Sequence, residues 1–116
     1  MFRTLLKSKI HRAVVTDANI HYEGSITIPT DLMRAADLWD GEKVLVTSVT
    51  NGARLETYVI PGPEGSAKFV VNGPAAHLIN AGHVVTIMAW SQSQTPIKPH
   101  RILLNAQNEI VSNTVL

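Results

Sequence analysis

The apolar residues of this 116-residue chain fall into short runs rich in Val, Ile and Thr, and the runs are separated by Gly, Pro and Asn. Runs of this kind, bounded by turn residues, are typical of β-strands. They predict strands over residues 2–6, 13–16, 25–28, 44–49, 54–60, 68–71, 83–90, 101–104 and 109–111. Between the fourth and fifth runs, Asn51-Gly52 predicts a tight hairpin, because both residues tolerate a positive φ.

Two short helices are predicted among the strands. The segment 30–38 follows Pro29, carries an N-cap candidate and spaces its apolar residues for a helix. The segment 74–79 begins with Pro74, which suits a first helical turn, and ends near Gly82. Many short strands with two short helices favour a compact, mainly β barrel over a sandwich or a βαβ sheet.

The length and composition of the chain exclude several classes of protein. The length predicts one domain over residues 1–116, and 45% hydrophobic residues suffice for a folded core without disulfides. A formal net charge of +1 gives no strong field to attract nucleic acid or a membrane surface. The chain has no cysteine for thiol catalysis and no apolar run long enough for a membrane span or a signal peptide, so a cytoplasmic protein is the default expectation.

The charged and titratable residues leave several functions open. The five histidines show no His-x-His or His-x-x-x-His spacing, so no metal site is expected. A basic N-terminal run is a solvated strand face, a wall for an anionic ligand or, least favoured, a nucleic-acid contact. Its members are Arg3, Lys7, Lys9, His11 and Arg12. Strand alternation predicts that all of them except Arg12 share one face.

The dipeptide Gly24-Ser25 has the most direct chemical consequence. A serine hydroxyl can attack the carbonyl carbon of the preceding residue and turn the amide into an ester. Elimination from that ester leaves a new chain end that carries a pyruvoyl ketone. Most Gly-Ser pairs are ordinary turns, so this interpretation depends on the residues around the dipeptide and on two blocks further along the chain.

Six blocks of sequence follow one another along the chain. They are Lys9-Ile10-His11-Arg12-Ala13, Thr16-Asp17-Ala18-Asn19, His21-Tyr22-Glu23-Gly24-Ser25, Thr50-Asn51-Gly52-Ala53-Arg54, Thr57-Tyr58 and Val71-Asn72-Gly73-Pro74-Ala75-Ala76-His77. Together they resemble the bacterial aspartate 1-decarboxylases, pyruvoyl-dependent enzymes that make β-alanine for pantothenate and coenzyme A. The resemblance runs from Met1 to about Ile87 and weakens after Trp90.

The resemblance implies a double-psi β-barrel with short helices, assembled as a homotetramer with active sites between neighbouring subunits. It also implies self-cleavage between Gly24 and Ser25 into a β chain of residues 1–24 and an α chain of residues 25–116. Thr57 would stabilise the negative charge that develops near the Gly24 carbonyl. The cofactor would be the pyruvoyl group made from Ser25, with no metal and no pyridoxal phosphate.

The resemblance implies roles in the decarboxylation of L-aspartate as well. The pyruvoyl group from Ser25 would form a Schiff base with the substrate amine and accept the electrons left behind by CO₂. Lys9 and Arg54 would bind the two carboxylates, and Arg suits a carboxylate because it binds bidentately. Tyr58 would return a proton to the carbanion, since a phenol stays protonated at neutral pH. The implied pocket residues are Thr57, Asn72, Gly73, Pro74 and Ala75, with Tyr22 and His11 as lesser candidates.

Two positions depart from the pattern of the family. Pro74 stands where the family usually has alanine, and proline has no N–H to donate. The segment 91–99 is shorter and less acidic than its counterpart, which affects the outer surface and contacts with accessory proteins rather than the chemistry. Nucleic acid and membrane are not expected as partners.

Overall fold

Eight β-strands, one α-helix and one 3-10 helix make up residues 1–115, the part of the chain that this computed structural model describes; side chains are described as far as residue 113. The strands are β1 (Arg3–Asn19), β2 (Ser25–Pro29), β3 (Lys43–Ser48), β4 (Arg54–Gly62), β5 (Phe69–Asn72), β6 (Val84–Ser93), β7 (His100–Leu104) and β8 (Ile110–Val115). The helix α1 (Thr30–Ala36) follows β2, and the 3-10 helix (Gly73–His77) directly follows β5.

Six of the strands close into a barrel. Their order is β5-β2-β4-β3-β6-β1, and parallel pairing of β1 with β5 closes the ring. β2 and β4 are also parallel, whereas the other neighbours in the ring are antiparallel. β7 and β8 extend the sheet beside β1, outside the ring. The predicted fold class, a mainly β barrel of the double-psi type with short helices, is confirmed.

The barrel interior is filled by alternate residues of its strands. On β6 the side chains of Val85, Ile87 and Ala89 are buried, whereas Met88 and Trp90 point outward. This alternation follows from the pleat of a strand that has one face on the core. Each square ångström of apolar surface removed from water contributes roughly 25 cal/mol, so the interior supplies the main driving force for folding.

β1 is one continuous strand (Arg3–Asn19), whereas the sequence predicted two short strands over residues 2–6 and 13–16. Twice along its length β1 inserts one extra residue relative to β6, and each insertion shifts the register. Such bulges bend a strand and break its alternation of buried and exposed residues, so the sequence pattern is interrupted while the pairing continues. The bent strand pairs with β5 towards its end and with β6 and β7 along its length.

The bulges also separate the basic residues of the N-terminal run. Arg3 lies opposite Ser93 of β6, and Lys9 lies opposite Met88. Ser93 and Met88 are an odd number of residues apart on a regular strand, so Arg3 and Lys9 point to opposite faces of the sheet. The prediction that the run shares one face is therefore wrong.

Lys7, a member of the same run, is bound within the protein. Its Nζ donates to Ser8 Oγ at 2.8 Å and to the carbonyl oxygen of Asp37, and it lies 3.0 Å from Glu42 Oε2. With its donors directed at these groups, Lys7 has little capacity to bind an external phosphate. This arrangement weakens the nucleic-acid interpretation of the basic run.

The bounds of both helices differ in part from the predictions. α1 ends two residues earlier, at Ala36, and its N-cap is Pro29 with no side-chain cap, because Thr30 Oγ1 donates to the carbonyl oxygen of Gly62 at 2.6 Å. The predicted helix over residues 74–79 is the 3-10 helix Gly73–His77, with a proline in its first turn. Among the described residues, no helix has the length and hydropathy needed to cross a bilayer.

The β3–β4 connection is longer than the two-residue turn that Asn51-Gly52 predicted. β3 ends at Ser48 and β4 begins at Arg54, so five residues connect them. Of the two turn residues, only Gly52 has a positive φ, at 76°. Asn51 instead donates from Nδ2 to the carbonyl oxygen of Leu78 at 2.8 Å, which attaches the hairpin to the segment after the 3-10 helix.

A buried asparagine attaches the β7–β8 turn to the barrel. Asn108 is 4% exposed and has a φ of 59°, a left-handed conformation that asparagine tolerates better than most residues. Its Oδ1 accepts from the backbone N–H of Val14 at 2.8 Å. Its Nδ2 donates to the carbonyl oxygens of Val14 and Ala67, both at 2.9 Å. One side chain thus satisfies three backbone groups next to the second bulge of β1.

Replacing Asn108 should destabilise the whole barrel. Asn108→Ala removes the partner of three backbone groups, and each buried unsatisfied group costs roughly 1–3 kcal/mol. We expect Tm, measured by circular dichroism, to fall by roughly 10–15 °C. Gln107→Ala, at the exposed neighbouring position, is the matched control and should change stability by less than about 0.5 kcal/mol. Equal Tm values for the two variants would contradict the assigned role.

Candidate active site

The Gly24-Ser25 peptide lies where β2 begins, between β4 and β5. On one side Ser25 pairs with Asn72 of β5, and on the other side Ile26 pairs with Val59 of β4. β2 and β4 are parallel, so the residues that precede Val59 lie beside the residues that precede Ile26. The two pairings therefore bring the end of β5 and the middle of β4 to the same peptide.

The hydroxyl of Ser25 is buried and fixed from two sides. Ser25 is 1% exposed, and its Oγ donates to the carbonyl oxygen of Glu23 at 2.8 Å. Asn72 Nδ2 donates to Ser25 Oγ at 3.1 Å and to Thr27 Oγ1 at 3.0 Å, so the second bond fixes the orientation of the amide. Rotation of the hydroxyl is restricted, and Oγ is held next to the Gly24 peptide.

Gly73 contacts the backbone of Gly24 so closely that no side chain fits between them. Gly73 has a φ of 73°, in the left-handed region that glycine adopts without strain. A β-carbon on Gly73 would lie 2.6 Å from Gly24 Cα and 2.8 Å from Gly24 N. On the next residue, Pro74 Cδ lies 3.7 Å from the position of a β-carbon on Gly24. Gly24 therefore rests on the junction between β5 and the 3-10 helix.

A cavity of about 480 Å³ opens beside Gly24. Its lining consists of Gly24, Leu55, Glu56, Thr57, Tyr58, Asn72, Pro74, Ala75 and Leu78. Most of the residues predicted for cleavage and for the pocket are among them. Ser25 and Gly73 are chain neighbours of lining residues, and the lesser candidates Tyr22 and His11 are not in the lining. No group of three or more His, Asp or Glu side chains within the described residues is placed to hold a metal ion.

Tyr58 is held in its protonated form by its surroundings. A hydrogen bond with Glu23 raises the pKa of the Tyr58 phenol above its ordinary value, and burial and the nearby Glu23, Tyr22 and Asp40 groups raise it further. The phenol therefore stays protonated at neutral pH. Sequence reasoning missed Glu23, because nothing in the sequence links it to a tyrosine on another strand; its position directly before Gly24 was the only signal.

The predicted carboxylate-binding residues lie on the outer face of the barrel but outside the cavity, although Arg54 shares the outward face of β4 with Glu56 and Tyr58. Neither Lys9 nor Arg54 is among the described residues that line the cavity. Arg54 begins β4, four residues before Tyr58, which is roughly 13 Å along a strand. Lys9 is on β1, opposite Met88 of β6, and Met88 is in turn opposite Leu45 of β3. Two strands therefore separate the strand of Lys9 from that of Arg54.

A polar row crosses this outer face from Arg54 to His11, which is two residues after Lys9 on β1. Arg54 is opposite Thr47, Thr47 is opposite Thr86, and Thr86 Oγ1 lies 3.4 Å from Nδ1 of His11. Burial lowers the pKa of His11, and the positive charges of Lys9 and Arg12 lower it further. The lowered pKa favours the neutral form of His11 at pH 7, and the row offers hydroxyl and imidazole groups beside Arg54.

The arrangement of a buried serine beside a closely held glycine peptide, next to a cavity that Tyr58 lines, suits a small enzyme built on a β-barrel. The family model of aspartate decarboxylase matches residues 1–111. The aspartate 1-decarboxylase of Corynebacterium efficiens is 51% identical over an alignment of 116 positions, which covers 97% of this chain and 85% of that protein. The chain belongs to the aspartate decarboxylase family, and the resemblance found in the six sequence blocks is confirmed.

Substitution of Gly73 tests whether the backbone contact positions the Gly24 peptide. In Gly73→Ala the β-carbon would overlap Gly24, so one of the two backbones must move. We expect the predicted cleavage between Gly24 and Ser25 to slow by about tenfold or more, because reaction rates are sensitive to displacements of 1 Å. The measurement is a time course of chain cleavage on a denaturing gel.

Gly65→Ala is the matched control. Gly65 has the same φ of 73°, but nothing lies within 4 Å of the position that its β-carbon would take, so the substitution adds the same backbone strain without the contact. Its cleavage rate should equal that of the wild type. Equal slowing in both variants would show that strain, and not the contact with Gly24, is responsible.

Proposed function

We propose that this protein is made as a precursor, cleaves itself between Gly24 and Ser25, and then converts L-aspartate to β-alanine and CO₂ with the pyruvoyl group made from Ser25. Membership of the aspartate decarboxylase family supports the reaction. The single structural observation that supports it most directly is the buried Ser25 hydroxyl, held beside the Gly24 peptide at a cavity. The β-alanine would supply the synthesis of pantothenate and coenzyme A.

Cleavage would begin with Ser25 Oγ. A bond forms between Oγ and the carbonyl carbon of Gly24, the carbon–nitrogen bond breaks, and the hydroxyl proton ends on the nitrogen, giving an ester and an amine. Elimination then removes the Cα proton of residue 25 and breaks its Cβ–Oγ bond, so that Gly24 leaves with a carboxylate. One water molecule hydrolyses the remaining enamine, ammonia departs, and a ketone is left at the start of the α chain.

Two side chains would assist the first step. Asn72 orients Ser25 Oγ through its amide hydrogen bond. Thr57 lines the cavity with Gly24, and its hydroxyl would donate to the Gly24 carbonyl oxygen as negative charge develops there. The resulting chains, residues 1–24 and residues 25–116, would stay together because β1 pairs with β5, β6 and β7.

In the decarboxylation, the pyruvoyl ketone at residue 25 supplies the electron withdrawal that allows an amino acid to lose CO₂. The surroundings of residue 25 suit a small polar group, since Asn72 directs its amide into them. Tyr58 Oη would return a proton to the substrate carbon that lost CO₂. Its raised pKa keeps that proton on the phenol at neutral pH.

Lys9 and Arg54 of one subunit would complete the site of a neighbouring subunit in a homotetramer. Aspartate carries two carboxylates, and the described residues lining the cavity of one chain include Glu56 but no Lys or Arg. The outer face provides both cations, and exposed apolar side chains such as Tyr22 and Leu78 near the cavity favour contact with a second copy. A single-domain chain, a cytoplasmic location and the absence of nucleic-acid and membrane partners stay predictions.

Removing the Ser25 hydroxyl should prevent both reactions. Ser25→Ala should remain one uncut chain and release no CO₂ from labelled aspartate, because no oxygen is present to attack Gly24. Ser66→Ala, in the loop between β4 and β5, is the control and should cleave and decarboxylate like the wild type. Cleavage or CO₂ release by Ser25→Ala above the background of an empty preparation would contradict the proposal.

Mixing two inactive variants tests the shared site. Lys9→Ala retains Ser25, and Ser25→Ala retains Lys9, so a neighbouring pair can form one complete site. Each variant alone should be inactive, and co-expression in equal amounts should restore about a quarter of the wild-type activity per chain, the share expected for random assembly. Mixed oligomers that form but stay inactive would show that Lys9 serves its own chain.

A further inference from the structure

We infer that Pro74 is a positioning residue for self-cleavage: its ring fixes the segment Asn72-Gly73-Pro74, which holds both sides of the Gly24–Ser25 bond. This inference rests on the proposed self-cleavage and adds to it a residue that controls the rate. Pro74 acts through the backbone of its neighbours and not by direct participation in the chemistry.

Consecutive residues of one segment contact the two residues whose bond is to break. Asn72 pairs with Ser25 in the sheet and donates from Nδ2 to Ser25 Oγ at 3.1 Å. Gly73 lies directly against Gly24, with its β-carbon position 2.6 Å from Gly24 Cα. Any rotation within the segment therefore moves Gly24 relative to Ser25. The approach of Oγ to the Gly24 carbonyl carbon depends on that relative position.

Gly73 is the residue of this segment whose backbone conformation is least restricted by its own side chain. Glycine is the residue with the most backbone freedom, and here it must keep a φ of 73°. Proline locks its own φ near about −65° and disfavours α-region ψ values at the residue before it, so Pro74 restricts the ψ of Gly73. Pro74 is the second residue of the 3-10 helix, and its Cδ lies 3.7 Å from the position that a β-carbon on Gly24 would take.

Because Pro74 is exposed, an effect of its replacement on the cleavage rate can be distinguished from an effect on the stability of the fold. Its side chain is exposed and lines the cavity, so replacing it removes no packing from the barrel core. Alanine at this position would free φ and relax the limit on Gly73. We expect Pro74→Ala to cleave about three- to fivefold more slowly than the wild type, and Pro74→Gly more slowly still, because glycine adds further backbone freedom.

The experiment follows freshly made precursor at fixed temperature by intact mass. Wild type, Pro74→Ala and Pro74→Gly are compared, with Pro63→Ala in the exposed loop after β4 as the matched control. The proposal predicts the order wild type, alanine, glycine for the cleavage rate, a wild-type rate for Pro63→Ala, and Tm values of the uncut chains within about 3 °C of one another. Hydroxylamine, which cuts the ester, should release less fragment from the Pro74 variants, because fewer molecules reach the ester.

Several results would overturn the inference. One is a Pro74→Ala precursor that cleaves as fast as the wild type or faster. A second is slowing that accompanies a large fall in Tm, which shows a role in folding. A third is accumulation of hydroxylamine-sensitive ester, which assigns Pro74 to the elimination step. If the wild type itself does not cleave at Gly24–Ser25, the proposed function fails; if it cleaves and the Pro74 variants match it, only this inference fails.

Discussion

The position of β2 between β4 and β5 is the constraint on which the site depends. The register that sets Ser25 opposite Asn72 also places the next residue of that segment, Gly73, against Gly24. A slip of one residue would turn Ser25 to the other side of the sheet and remove both contacts. Ile26, buried in the core and paired on both sides, fixes this register. Packing of the barrel is thus what holds a hydroxyl beside the peptide that it is proposed to attack.

The long strand β1 would hold the two chains together after the proposed cleavage. A cut after Gly24 would leave β1 in the shorter chain, still paired with three strands of the longer one. Most of the native hydrogen bonds would therefore survive the cut. The outer face that β1 shares with β6, β3 and β4 carries Lys9 at one side and Arg54 at the other. Neither cation is among the described residues that line the cavity beside Gly24.

The sequence predicted the parts of the fold that depend on local composition. The Val- and Ile-rich runs of β2, β3 and β4 were located to within two or three residues, and the blocks around Ser25 and Asn72 identified the residues that meet at the site. The bulges of β1 were not predictable, because they depend on its register with β6. The capping of α1 was missed because Thr30 bonds across the molecule to Gly62 rather than within the helix. The sequence also did not show that Lys9 lies outside the cavity, because a motif does not indicate on which face of a strand a residue lies.

The most direct test of the account is the intact mass of purified wild-type protein after prolonged warming. Two chains are expected, a smaller one that ends at Gly24 and a larger one that is lighter by one ammonia than a chain beginning with an unmodified Ser25. A hydrazide should add once to the larger chain, because a ketone stands at its start. A single uncut chain, or a larger fragment with an ordinary amino terminus that does not react with the hydrazide, would contradict the account.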